Sequence, residues 1–248
     1  MSALSRTCLR LAACAALRNA TIAGGNVFDS RIEAVDLSDD QPIAGAIAVY
    51  TEQDDGEALS SQNGGPPFVQ DVELILEITM QCRVVKADGS YAAATPATDD
   101  ELEATIDLIE TQAELALFRS YAAASVLFRT AAKRPKHKSS IRFTDPKAGE
   151  KLAVRYVTYK IEIDDREIPV TDGTQTGFNR LPYPFSAIAP KWPDGPEKEK
   201  ATALAALLAG QTPPAFLGVI STVTPPASTQ ATGTRPEPNR TETWSPPQ

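Results

Sequence analysis

His137 is the only histidine of the chain, and it is weighed first because most nucleophilic triads need a histidine as their base. It lies inside a short basic run, 133–138, that a proline interrupts. A histidine in such a run is typical of a solvated loop. The segment Ala23–Asn26 contains two glycines but lacks the spacing and the lysine of a phosphate-binding loop. The sequence therefore indicates neither a triad nor a phosphate site.

Two pairs of adjacent carboxylates could do acid–base chemistry or bind a hard cation. Asp54 and Asp55 lie in a stretch with the composition of a loop, whereas Asp99 and Asp100 fall in the first turn of a predicted helix, where the dipole favours acids. An isolated pair seldom forms a preorganised site. We therefore expect a protein that is not an enzyme and has no metal or cofactor. A hydrolase or metal-dependent enzyme that uses the acidic loops is the alternative from another class.

The cysteines and the net charge argue against further classes. Cys8, Cys14 and Cys82 contain no closely spaced pair, which indicates small core residues rather than disulfides or a thiolate zinc site. The formal net charge is −8. This balance disfavours a primary grip on nucleic acid, which needs clustered lysine and arginine.

The N-terminal segment has a lipoprotein-like box at Leu11–Cys14, but Arg10 directly precedes it. A signal sequence needs an apolar stretch of about 7 to 15 residues at that place, so we expect no export. No window approaches the roughly 20 apolar residues of a spanning helix. These patterns predict a protein that is made in a cytoplasm and does not enter a membrane.

Hydrophobic periodicity predicts a folded domain in residues 1–165. Its clearest signal is the strand 71–84, in which apolar and polar residues alternate, so that one face is dry and the other wet. Helical spacing predicts a first helix at 4–19, and a capping box at Thr98–Glu101 predicts a second helix that continues to about Ala132. Further strands are predicted at 27–32, 43–50 and 152–163.

The second predicted helix is amphipathic. Its dry stripe consists of Leu102, Ile106, Ile109, Ala113 and Leu117, and its wet stripe consists of Glu103, Asp107, Glu110 and Glu114. Together these elements predict an α+β fold, with a mixed or antiparallel sheet of about four strands packed against two helices and with an extended C-terminal arm.

Two charged segments between the elements are candidate contact sites. The first is a long connection, 51–67, whose acids are Glu52, Asp54, Asp55 and Glu57. The second is the basic run 133–138, whose charged residues are Lys133, Arg134, Lys136 and Lys138. A run this short is usually a solvated linker, and contact with a partner protein or with nucleic acid is the functional alternative.

The last third of the chain is predicted to be an appendage in three parts. Residues 166–196 have the pattern of an extended arm or hairpin, with Tyr183, Phe185 and Trp192 as candidate arm contacts. A short helix is expected at 197–210. The Pro-rich tail, 211–248, has a composition that disfavours a packed core, and it would act as a strap around a partner or as a simple extension.

The order of these elements resembles the tail terminator family, the minor tail protein U-like proteins of lambda-like siphophages. The resemblance covers about residues 3–164. It is carried by the first helix, by Val27–Arg31, by Pro42 leading into Ile47–Tyr50, by the strand 71–84, by the helix that Thr98–Glu101 opens and by Arg155–Ile161. This chain departs from the pattern by inserting Gly45-Ala46 and by continuing for more than eighty residues after the domain.

Membership of that family would imply a structural protein of the virion, located in the tail or neck and assembled in the host cytoplasm. Such a protein forms a homohexameric ring that caps the tail tube, stops its polymerisation and joins it to the head connector or stopper protein. DNA passes through the ring without specific binding, and the acidic loop is then a candidate lumen or tube contact. Another neck protein, for head closure or head-tail joining, is the alternative within the same class.

Overall fold

The computed structural model of the chain describes residues 3–31, 43–58, 62, 68–85, 91–94, 99–144, 153–163 and 175–208. The strands in this part are β1 (Val27–Asp29), β2 (Ile43–Ala58), β3 (Phe68–Val85), β4 (Tyr91–Ala94), β5 (Ala132–Thr144) and β6 (Ala153–Ile163). The α-helices are α1 (Ala3–Leu17), α2 (Asp99–Glu114), α3 (Ala123–Ala131), α4 (Phe185–Ile188) and α5 (Pro196–Leu208). None of these helices is long and apolar enough to cross a membrane.

The strands form one mixed sheet in the order β1-β2-β3-β6-β5, and β4 pairs with the end of β3. β1 is parallel to β2, and the other neighbours are antiparallel. The predicted α+β class and mixed sheet are therefore confirmed. The sheet has more than the expected four strands because two segments that have the composition of connections, β4 and β5, pair with predicted strands.

The alternating segment of β3 fixes the buried face of the sheet. Val72, Leu74, Leu76 and Ile78 are fully buried, while Glu73, Glu77 and Thr79 on the opposite side are partly exposed. This follows from the two-residue period of a strand, and it confirms the predicted dry face. Burial of four such side chains contributes several kcal/mol, at about 1.5–3 kcal/mol each.

The first helix packs its apolar residues into this core. Leu9, Leu11 and Leu17 are almost fully buried, and Cys8 and Cys14 are buried free thiols, as the sequence predicted for core cysteines. Burial raises the pKa of both thiols, so they stay protonated. The side chain of Cys82 lies outside the described residues.

The second helix carries its predicted dry stripe, since Ile106, Ile109, Ala113 and Leu117 are all buried. A side chain at Gly45 would place its Cβ 2.9 Å from Ile109 Cδ1, so the glycine of the inserted pair lets α2 approach β2 closely.

Helical structure continues to Ala131, close to the predicted end at about Ala132, but it is divided into two helices. A π-helical turn, Leu115–Arg119, ends α2 where the Ser120 N–H donates to the Leu115 carbonyl, and extended backbone at Ser120 separates it from α3. Thr98 of the predicted capping box lies outside the described residues.

The acidic connection predicted at 51–67 is wrong over its first eight residues, because β2 continues to Ala58. After a register shift between Thr51 and Asp54, the acidic segment pairs with β3 as far as Phe68. Charged residues are tolerated there because the segment is exposed. The remainder of the predicted connection lies almost wholly outside the described residues.

The basic linker is likewise a strand. Residues 133–138 lie in β5, which pairs antiparallel with β6 from Ala132 to Thr144. Pro135 is tolerated because β5 is the last strand in the sheet order and shifts register directly after Pro135, and edge strands and bulges are the places where a sheet accepts proline.

The C-terminal segment predicted as an extended arm or hairpin is helical in its described part, 175–196. Two 3-10 turns, Gly177–Arg180 and Ala189–Lys191, flank α4, and the short helix predicted at 197–210 is present as α5. Phe185 and Trp192 are buried in the main core, and their rings meet edge to face at 5.9 Å. They are therefore wrongly predicted as arm contacts, because local sequence cannot show that a proline-rich segment folds back. Residues 166–174 and 211–248 lie outside the described residues.

Candidate functional site

A row of charged residues crosses the sheet on the face opposite the helices. Asp55 of β2 is the register partner of Asp71 in β3, Asp71 is the partner of Glu162 in β6, and Glu162 is the partner of Arg134 in β5. Residues of one register row lie side by side on adjacent strands. The fold therefore brings one residue of the acidic segment and one of the basic run onto a common surface.

Glu162 is the centre of this row. Its carboxylate lies 2.8 Å from Lys133 Nζ, 2.8 Å from Arg134 Nη2 and 3.2 Å from Lys136 Nζ. The hydrogen bond from Lys133, followed by those from the other cations, lowers the pKa of Glu162 to about 2. One carboxylate thus holds three cations of β5 together.

Lysines link the two sides of the row. Lys136 Nζ also lies 2.7 Å from Asp71 Oδ1, and Lys160 Nζ lies 3.6 Å from Asp55 Oδ2 and 4.0 Å from Asp71. A continuous series of ion pairs, each with an N–O distance of 4.0 Å or less, therefore connects β5 through β3 to β2. Each of these groups therefore lies within 4.0 Å of a group of opposite charge, and the row is a connected set of ion pairs.

The other acids of the predicted contact segment are placed differently. Asp54 pairs with Arg6 of α1 at 3.2 Å and is therefore tied to the helical layer. Glu52 and Glu57 are exposed, and neither forms an ion pair within the described part of the chain. The four predicted acids thus do not form one cluster, but Glu52, Asp55 and Glu57 share the same exposed end of β2.

Lys138 does not lie on the same face as the other basic residues, because β5 has a register shift between Pro135 and His137. The shift turns Lys138 to the helix-covered side, where its Nζ lies 2.9 Å from Glu110 and 2.7 Å from Glu114 of α2. Three of the four predicted basic residues therefore share one surface. The fourth belongs to a separate ionic contact.

That contact is a seam between α2 and the β5–β6 edge, and it uses the acids predicted to face water. Arg155 Nη2 lies 2.8 Å from Glu103, and Arg155 also pairs with Asp107. Arg142 Nε lies 2.7 Å from Glu103, and Ser140 donates to Glu110 at 2.9 Å. Partial burial acts to raise the pKa of Glu110, but the bonds from Lys138 and Ser140 bring it below its ordinary value. The acids of α2 that were predicted to face water therefore contact the basic side chains of β5 and β6 instead.

A groove of about 510 Å³ lies along this seam. Its charged lining includes Glu110, Glu114, Lys138 and Arg155, and these residues neutralise one another. Acids and bases paired in this manner are poorly placed to accept or supply a proton. The groove consequently gives no group with an evident catalytic role.

Sequence reasoning missed a third ionic cluster, between α1, β1 and α5. Asp29 pairs with Arg10 and lies 2.6 Å from Lys200 Nζ, and Arg18 Nη2 lies 2.7 Å from Glu197. Partial burial acts to raise the pKa of Asp29, but Lys200 and Arg10 lower it overall. Only the off-stripe position of the arginines in α1 hinted at such partners, because the acids lie far away in sequence.

His137 is exposed on β5, and the residues that the structure describes contain no group of three or more potential metal ligands. Tyr183, the last of the predicted arm contacts, is 38% exposed. In comparisons with known proteins, no family model matches the chain and no curated protein matches its sequence. The fold itself defines the class of the chain, which is an α+β protein with a mixed sheet.

Proposed function

We propose that this chain is a tail terminator, a structural protein of a phage virion that forms a homohexameric ring on the end of the tail tube. The ring stops polymerisation of the tube protein and offers a joining surface to the head connector or stopper protein. DNA passes through it without specific binding, and no reaction is catalysed.

One observation carries the proposal. The acids Asp55, Asp71 and Glu162 lie in one register row on the outer face of the sheet, where lysine and arginine side chains of β5 and β6 pair with them. A surface pattern of paired and unpaired charge is suited to recognition between proteins, where electrostatic complementarity sets partner choice and register. The surface therefore favours an assembly role over an enzymatic one.

The resemblance to tail terminators agrees with the order of the elements. The segments that carry it fall on α1, β1, β2, β3, α2 and β6 in that sequence. The four strands among them are consecutive neighbours in the sheet. In the part of the chain that the structure describes, the helices lie on one side of the sheet, so its other face and its edges are available to neighbouring subunits.

The test is electron microscopy of tail tubes assembled from the tube protein of the same phage, with gold-labelled chain added. Label at one end of each tube, together with arrested elongation, is the expected result. Label on DNA-filled heads but not on tubes would move the protein to the head side of the neck. Label on neither particle would overturn an assembly role in the neck.

A further inference from the structure

The two opposite edges of the sheet carry opposite charge. β5 contains five lysine or arginine residues and no aspartate or glutamate, whereas Thr51–Ala58 of β2 contains four acids and no lysine or arginine. β5 ends the strand order on one side. On the other side β1 pairs only with Ile47–Val49, and no other described strand covers the outer edge of Thr51–Ala58.

Part of this charge is left over after the internal ion pairs are made. Glu162 binds Lys133, Arg134 and Lys136, and Lys136 also binds Asp71, so three cations of β5 share two carboxylates and at least one positive charge is left over. At the other edge Glu52 and Glu57 are exposed and form no ion pair with a described residue. Among the residues that the structure describes, each edge therefore carries charge of one sign that is not fully compensated.

Strand direction makes the two edges fit each other. β2 is antiparallel to β3, β3 to β6 and β6 to β5, so β2 and β5 run in opposite directions. A second copy placed beside the first in the same orientation would set its β2 antiparallel to β5 of the first. Such a contact uses two different surfaces of the chain, which is the kind of contact that can close into a ring.

The register places the opposite charges at one level of the sheet. Asp55 and Arg134 lie in the same row, through Asp71 and Glu162. A copy added at that level would bring the acids around Asp55 against the cations around Arg134 without a large shift along the strands. Two copies of β5 would instead place like charges opposite each other, which is unfavourable.

We propose that copies of this chain associate head to tail, with the basic edge Lys133–Lys136 of one copy against the acidic edge Thr51–Ala58 of the next. The inference rests on the proposed function, because it names the contact between neighbouring subunits of the ring. Pro135 has no backbone N–H, so side-chain ion pairs rather than a continuous ladder carry the contact at this level.

Charge reversal in the full chain tests the contact. Arg134→Glu leaves Lys133 and Lys136 on Glu162, and Glu57→Lys removes no ion pair between described residues. We expect the wild type to form oligomers in sedimentation at low salt, and each single variant to dissociate with an apparent Kd raised about tenfold or more. The double variant, and an equimolar mixture of the two singles, should recover association. Lys191→Glu and Glu199→Lys are matched controls at exposed sites in the C-terminal helical segment, outside both edges.

Carbodiimide cross-linking of mixed ¹⁴N- and ¹⁵N-labelled chains adds a direct readout. An amide bond between residues 51–58 of one copy and residues 132–144 of a differently labelled copy is expected. If both charge-reversal variants form oligomers as the wild type does and this cross-link is absent, the edge contact is wrong. The proposed ring would then be formed through another contact. A wild type that stays monomeric, or that dissociates on nuclease treatment, would also overturn the edge contact, whereas the tail-tube experiment tests the proposed function separately.

Discussion

Arg155, on the helix-covered face of β6, donates to Glu103 of α2 across 2.8 Å, and 16% of its side chain is exposed. The same guanidinium also pairs with Asp107 and Glu110. One strand residue thus fastens three acids on successive turns of α2 to the sheet. The contact explains how an acidic helix packs beside a sheet edge that has little apolar surface to offer.

Arg155→Met should destabilise the fold by about 1–3 kcal/mol, because the acids of α2 lose a partly buried partner while the side-chain volume is largely kept. The free energy of unfolding from urea titration measures this. Arg180→Met is the control, since Arg180 makes no ion pair among the described residues. An equal loss in both variants would show that the seam contributes nothing specific.

Glu162→Gln should lower stability at neutral pH by about 1–2 kcal/mol, which is less than for a fully buried pair because its cations are partly exposed. The pKa of Glu162 is lowered to about 2 from an ordinary 4.5, so its stabilisation is present above pH 4.5 and is lost as the pH falls toward 2. The difference between wild type and variant should therefore shrink across that window. Urea titrations at pH 6, 4 and 3 would measure it, and a difference that stays constant would contradict the assignment.

Gln70→Met should stabilise the protein by about 1 kcal/mol. Gln70 is fully buried beside Val72 in the core layer, and neither end of its amide has a hydrogen-bond partner among the described residues. Gln112→Met is the matched control with the opposite expected sign, because Gln112 Oε1 accepts a bond from the Ile22 N–H at 2.8 Å. Thermal unfolding should separate the two, and a lower Tm for the Gln70 variant would count against an unpartnered amide.

Phe185→Ala should cost about 3–5 kcal/mol, the range for removing a buried aromatic ring. The ring has no solvent exposure and packs on Trp192, so the segment around it belongs to the domain core. Tyr121→Ala is the comparison, because Tyr121 is 95% exposed and should change stability little. Similar stability of both variants would restore the idea of a detached arm.

Periodicity alone was enough for the elements whose apolar residues recur at regular intervals. α1, the core of β3 and β6 were predicted nearly where they occur, because burying an apolar stripe is the dominant local constraint on such segments. The dry stripe of α2 was predicted for the same reason. The α+β class followed from the order of these elements.

Charge misled the prediction wherever a strand lies at the periphery of the sheet. The acids of 51–58 and the lysines of 133–138 have the composition of loops, yet both segments are strands because β3 and β6 supply hydrogen-bonding partners. Such partners are distant in sequence, and no local pattern encodes the pairing. The prediction also missed the break between α2 and α3 and the burial of Phe185, because these too depend on partners that are distant in sequence.

The sequence by itself determined which residues are apolar and at what period, and therefore the layers and the hydrophobic core. It also supplied the charges of the two candidate segments, but not their relation to each other. Only the tertiary structure decided that Asp55 and Arg134 lie in one row, that Lys138 turns away from it and that Glu162 holds three cations. The reason is physical: apolar burial depends on the period within one segment, whereas an ion pair depends on the register between two.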